Sequence, residues 1–311
     1  MEEIAVNRPI EIEGVISQAS DIEPKIISLT LECISCGADF KIPQIKEITL
    51  PAICKCGRKN TLRKISEEKG NIIQIIINDH EYEIIVNSEV LERKIIGKIV
   101  KIIGKEITES LIEENRTIVW EPHEEDVSKS DETDIIKLAK QPNILNNLAL
   151  NLLPHIYWPI EIKKAIILQL FSGGNTPIEN IHILLRGNLG TAKTESMNCL
   201  SQMYGQNKII RLPKKDIVGE IIEEKKNIKI KGGPILLARG GIVYIDNLEE
   251  IGVKEKRDIE RIITYQDADI EKKGLAYNFK TDVSLFVVGN NEALLEKEFK
   301  ILSEEFTSRF D

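Results

Sequence analysis

No run of about 18 apolar residues occurs in this 311-residue chain, so it carries no segment of the length that spans a bilayer as a helix. The first residues, "MEEIAVNRP", lack the basic and then apolar pattern of a secretory signal, and an intracellular, cytoplasmic setting is expected. Aromatic residues are scarce at 5%; Trp120 and Trp158 stand without an aromatic cluster and read as packing residues rather than base-stacking platforms. Basic residues are outnumbered, 42 against 50 acidic ones, and the net charge of −8 excludes a surface coated for bulk nucleic-acid binding while leaving room for a local patch. His80, His123, His155 and His182 lie far apart and form no ligand motif. There is no internal repeat and no low-complexity tract.

What is present is a globular composition, 42% apolar and 30% charged, over a length that suits about two domains. Up to about Pro122, runs such as "IIQIIIN", "YEIIV" and "IIGKIVKIIG" alternate with turn residues, which predicts a small all-β barrel or sandwich. From His123 to Asp134 the sequence turns polar and acidic, as an exposed linker does, and "IIKLAKQPNILNNLALNLLP" then has helical spacing. Beyond it, the strands "IHILL", "GIVYI" and "VSLFVV" alternate with helical stretches, the pattern of an α/β domain on a largely parallel sheet. The expected divisions are residues 1–122, a linker and helix at 123–150, and the α/β domain at 151–311.

Five cysteines in a chain without a signal peptide suggest metal ligands or buried thiols before disulfides. Cys33 and Cys36 form a C-x-x-C pair, Cys54 and Cys56 a C-x-C pair, and Gly37 and Gly57 follow each, as the tight turn of a zinc knuckle requires. Two such pairs on neighbouring hairpin turns can surround a tetrahedral Zn2+; four small buried residues are the alternative. Cys199, in a helical segment, reads as core.

The stretch "IHILLRGNLGTAKT" runs from a strand into Gly187, Asn188, Leu189, Gly190, Thr191, Ala192, Lys193 and Thr194. This is the phosphate-binding pattern G-x-x-x-x-G-K-[ST] with alanine in place of the last glycine. Backbone amides and a helix N-terminus would cradle phosphates, Lys193 would reach the β and γ groups, and the Thr194 hydroxyl would ligate Mg2+. Further on, the strand "IVYI" ends in Asp246, a carboxylate placed to hold that Mg2+ at the sheet edge. The next residue, Asn247, can orient a water but cannot accept its proton. No N-K-x-D guanine-reading motif stands in a suitable place, which leaves adenine preferred.

Taken together, these motifs resemble the archaeal MCM (minichromosome maintenance) family of AAA+ ATPases, hexameric helicases of DNA replication. "IEGVISQASDIEPKIISLTLECISCG" is similar to that family's OB-fold entering its zinc hairpin, and "LLPHIYWPIEIKKAIILQLFSGG" to the opening of its ATPase domain. "GNLGTAKT" resembles its phosphate loop, alanine included, and "DADIEKKGLAYNFKTDVSLFVVGN" its pre-sensor hairpin and sensor 1 strand. The resemblance implies an N-terminal OB-fold with an inserted zinc hairpin, then an α/β AAA+ P-loop core that stops near the arginine-finger motif and lacks the helical lid. It also implies ATP as ligand, single-stranded or forked DNA as partner, ring assembly with copies of itself or with fuller paralogues, and a place at the nucleoid. Asn290 would be the sensor 1 residue, Arg309 the finger acting on a neighbour's nucleotide, and Lys272 a channel-facing contact to a DNA phosphate. A solvated lysine is the alternative for Lys272, and a solvated hairpin for Lys225, Lys226, Lys229 and Lys231.

Asn247 departs from the family's Asp-Glu pair, and two functions follow. One is a divergent paralogue that binds ATP and DNA with weak or no hydrolysis; the other is an active ATP-driven helicase. Without the resemblance, the residues alone fit a P-loop switch, or a metal-stabilised nucleic-acid-binding module fused to a nucleotide-binding domain.

Overall fold

A computed structural model describes residues 8–43, 51, 53–88, 90–107, 110–120, 129–172, 180–203, 207–211, 215–224, 227–290 and 307–310. The chain forms two compact units. The first takes in residues up to Ile95, Ile99–Val119 and Glu223–Ile230; the second takes in Ile96–Lys98, Trp120–Ile222 and the remainder from Lys231.

The first unit is built from β1 (Arg8–Ser20), β2 (Glu23–Cys33), β3 (Asp39–Pro43), β4 (Leu62–Ile77), β5 (His80–Ile85), β6 (Ile99–Glu106) and β7 (Leu111–Trp120). The strand order β1-β6-β7-β5-β4-β2-β3, with an additional β1–β4 pairing, closes β1, β6, β7, β5 and β4 into a barrel. Closure removes the exposed edges that an open sheet of this size would present. The isoleucine-rich runs alternate about the barrel wall, so that Ile16, Ile73, Ile75, Ile77, Ile84 and Ile102 are buried. Asn78 and Asp79, both at positive φ (50° and 66°), make the two-residue turn between β4 and β5. Glu114 is a fully buried carboxylate on β7, and it accepts from the amides of Asn87 and Ser88 and the hydroxyls of Ser88 and Thr117. Beyond the barrel, β2 and β4 continue as a ribbon whose pairing runs out to Cys33 opposite Leu62.

The second unit contains α1 (Lys129–Ala139), α2 (Ile144–Asn151), α3 (Ile160–Leu170), β8 (Ile183–Gly187), α4 (Lys193–Ser201), β9 (Lys208–Arg211), the outer ends of β10 (Gly219–Glu224) and β11 (Asn227–Gly232), whose residues Glu223–Ile230 belong to the first unit, α5 (Pro234–Leu237), β12 (Ile242–Asp246), α6 (Val253–Tyr265), β13 (Asp267–Lys272), β14 (Leu275–Lys280) and β15 (Ser284–Asn290). Four strands form a parallel sheet in the order β8-β15-β12-β9. Every residue of β12 is buried, as a central parallel strand covered on both faces requires. Tyr244 of β12 lies opposite Phe286 of β15, with ring centroids 5.6 Å apart. Leu152, Ile166, Ile167, Met197 and Leu200 bring the surrounding helices onto the same core. His182 is buried, and its Nδ1 accepts from the Leu285 amide at 3.2 Å.

Two sequence expectations change. The acidic stretch read as a linker from His123 to Asp134 already holds the start of α1, which begins at Lys129 with Asp131 and Glu132 in its first turn, where they favour the helix dipole, and runs on into the segment expected to be helical. Residues 121–128 lie outside the described residues, as do Lys225 and Lys226. Lys229 is not solvated: it is buried and donates to Glu81 at 3.0 Å, while Lys231 pairs with Glu220 at 3.6 Å. Among the described residues, no helix is long and apolar enough to cross a membrane.

Candidate nucleotide and metal sites

Three parallel strands end side by side, β8 at Gly187, β15 at Asn290 and β12 at Asp246. Ligands in open α/β sheets bind outside such carboxyl ends. Here the ends frame a cleft of about 240 Å³ lined by Leu189 to Glu195, Asp246, Asn247, Glu249 and Val288 to Asn290. Gly190 takes φ 78°, a value open to glycine without strain. Ala192 takes φ 61°, also left-handed, so this chain carries about 1 kcal/mol of backbone strain where a glycine would carry almost none. The turn ends by launching α4 at Lys193, and its amide-rich N-terminus faces the cleft.

Lys193 lies at the centre of the loop, its ammonium donating to the carbonyls of Gly187 (2.7 Å) and Asn188 (2.6 Å) and to the Thr191 hydroxyl (3.3 Å). The Thr194 hydroxyl is 3.3 Å from Oδ2 of Asp246, which is itself only 5% exposed. A hydroxyl and a buried carboxylate at this spacing fit a shared Mg2+ shell of oxygen donors. The Asn247 amide N–H donates to Oδ1 of Asp246 at 3.1 Å, holding the carboxylate in place.

Two residues of the site escaped the sequence reading. The indole N–H of Trp158 donates to the Thr191 carbonyl at 2.9 Å, so this tryptophan packs against the core and also clamps the loop. Glu249 lies in a single 3₁₀ turn, Leu248–Glu250, and its Oε2 accepts from the backbone amide of Asn290 at 3.2 Å. Arg309 is not among the residues lining this cleft; its guanidinium donates to the Thr264 hydroxyl on α6. Lys272 ends β13, just before the turn at Lys273 and Gly274, and donates to the Ile221 carbonyl at 2.6 Å.

At the end of the ribbon, the four cysteine sulfurs lie within 4.8 Å of one another. Cys33 and Cys56 are 3.9 Å apart, Cys36 and Cys54 3.7 Å. Bonds of about 2.3 Å to a tetrahedral zinc set its sulfur ligands about 3.8 Å apart, so the cluster fits that ion. Gly37 (φ 69°) and Gly57 (φ 83°) close the turns, donating to the carbonyls of Cys33 and Cys54 at 2.8 Å each. The C-x-C spacing is accommodated because the Cys56 amide also points at the Cys54 sulfur, at 3.4 Å. The Thr61 hydroxyl pulls the Cys33 thiol down to about 6. The Cys56 amide lowers Cys54 as well, but burial and the surrounding thiols outweigh it and push Cys54 up to about 12. Thiolates this close repel one another, and a cation among them removes the conflict. A second group, His155, Glu195 and Cys199, also brings three donor atoms within 4.8 Å, though Cys199 packs against the core as expected.

A phosphate loop, a hydroxyl and carboxylate pair and a parallel sheet define the class: a P-loop nucleotide-binding protein, here joined to a β-barrel with a cysteine-knuckle ribbon. Profile comparison narrows it further. The MCM P-loop domain matches residues 131–311 and the MCM OB domain residues 1–76, and the chain belongs to the MCM family. It is 24% identical to the minichromosome maintenance protein MCM of Saccharolobus solfataricus over 92% of its length and 48% of that protein's. It is 23% identical to the DNA replication licensing factor MCM2 of Arabidopsis thaliana over 93% of its length and 36% of that protein's. With mcm5 of Dictyostelium discoideum the identity is 21%, over 92% of this chain and 45% of the relative. The chain thus spans about half the length, or less, of the relatives it matches.

Proposed function

We infer that this chain is an ATP- and DNA-binding protein of DNA replication whose ATP turnover is slow. Supporting this is one juxtaposition: Lys193, Thr194 and Asp246 converge on a single cleft, while the residue after Asp246 is an amide, Asn247. Mg2+·ATP is held with the phosphates on residues 187–194 and the cation between Thr194 and Asp246. Asn290 contacts the γ-phosphate. Zn2+ fills the four-cysteine cluster and stiffens the ribbon. DNA is bound by the barrel and by Lys272, in a ring formed with copies of this chain or with fuller MCM relatives, where Arg309 reaches the neighbouring nucleotide. Its place of work is the nucleoid in the cytoplasm.

The test measures phosphate release at saturating Mg2+·ATP with single-stranded DNA, for the native chain and for Asn247→Glu, together with the salt dependence of DNA binding. General-base help is worth about 10² to 10⁴. The left-handed backbone at Asn247 (φ 58°) returns about 1 kcal/mol of that as strain on a glutamate. The variant is therefore expected to release phosphate at least about tenfold faster. Native release as fast as the variant's, or DNA binding indifferent to salt, contradicts the proposal. An active helicase is the second reading, and one observation favours it: the Glu249 carboxylate lies in the same cleft.

A further inference from the structure

We propose that Glu249 is the carboxylate that deprotonates the water attacking the γ-phosphate, the task that Asn247 cannot perform. The inference rests on the reading of the cleft as an ATP site, whatever the speed of turnover there.

The backbone prepares the exchange of roles. Strand β12 leaves the core at Asp246, and Asn247 turns the chain through the left-handed region (φ 58°, ψ 54°), which asparagine enters more cheaply than glutamate. Leu248, fully buried, anchors the 3₁₀ turn that follows. With that anchor fixed, Glu249 lines the cleft beside Asp246 and Asn290. Its Oε2 is held by the Asn290 amide at 3.2 Å, which ties it to the strand end expected beside the γ-phosphate. A carboxylate offers several lone pairs on its two oxygens, so one such bond leaves capacity to accept from a water.

Two other carboxylates line the cleft, and each is otherwise placed. Asp246 is engaged by the Thr194 hydroxyl and the Asn247 amide, at the cation position. Glu195 stands in the first turn of α4, where its carboxylate groups with His155 and Cys199. In the step assigned to Glu249, the water oxygen forms a bond to the γ-phosphorus. The bond from that phosphorus to the β–γ bridging oxygen breaks, and its electron pair leaves on ADP. One water proton passes to the Glu249 carboxylate and is then released to phosphate or solvent, restoring the base.

The discriminating variant is Glu249→Gln. Its amide oxygen can still accept from the Asn290 N–H, so the turn is kept, but it cannot take a proton. We expect phosphate release to fall about tenfold, the part of the 10² to 10⁴ of general-base help that Glu249 supplies to a slow site and that leaves room for a further gain in Asn247→Glu, with unchanged binding of a fluorescent ATP analogue and an unchanged melting temperature. In Asn247→Glu/Glu249→Gln, release should recover in part. Unchanged release in Glu249→Gln overturns the inference. So does a native chain that binds ATP yet releases no phosphate, or a Glu249→Gln defect seen only as weaker ATP binding. Failure of the native chain to bind ATP at all is a different result, and it would remove the nucleotide-site reading itself.

Discussion

The indole nitrogen of Trp158 and the carbonyl of Thr191 are joined by a 2.9 Å hydrogen bond, which pins the phosphate loop to the segment between α2 and α3. Replacing Trp158 by phenylalanine keeps most of the apolar contact and deletes the bond. The expected loss is about 1 kcal/mol, read as roughly fivefold weaker binding of an ATP analogue. Titration of the fluorescent analogue checks it, and unchanged affinity would mean that the loop holds its shape without the clamp.

Asp258 on α6 carries a pH-dependent penalty. Burial, then the nearby negative charges of Glu255, Asp269 and Glu271, push its carboxyl from 3.8 up to about 6, against the pull of Lys254. The folded protein therefore holds this proton more tightly than the unfolded chain. The resulting stabilisation is full below about pH 4 and is lost as the pH rises through about 6. Asp258→Asn should be more stable than the native chain by about 1–2 kcal/mol at pH 7.5, an allowance made for its partial exposure, and close to equal at pH 4. Urea unfolding at the two pH values decides this, and a gain that persists at pH 4 would contradict it.

The cysteine cluster predicts about one zinc per chain by elemental analysis, with the metal lost in Cys36→Ser/Cys56→Ser. Chelation should lower the melting temperature, because four converging thiols have no apolar core to replace the ion. A metal-free chain that melts unchanged would reject the zinc assignment, and an ion retained in the double variant would point to His155, Glu195 and Cys199.

The parts of this site that repeat a local chemical rule were legible in the sequence. Lys193 and Thr194 were readable because phosphate binding demands fixed spacing, and Cys33, Cys36, Cys54 and Cys56 because two thiol pairs flanked by glycines suit one ion. The run Ile242 to Ile245 of β12 announced itself by being apolar up to the carboxylate that ends it. Other features depend on geometry that spacing does not encode. Glu249 enters the cleft only because Asn247 turns left-handed and Leu248 is anchored. Lys229 loses its solvent to a partner, Glu81, that is 148 positions away. Only the start of α1, before Ile135, hid in the polar stretch, because Asp131 to Asp134 are polar and exposed and carry no apolar periodicity.

The most direct test of the central claim is binding of a fluorescent ATP analogue to the native chain and to Lys193→Ala, with and without Mg2+. The account predicts saturable, Mg2+-dependent binding by the native chain that Lys193→Ala abolishes. Equal binding by both, or none by the native chain, would contradict the assignment of this cleft to ATP.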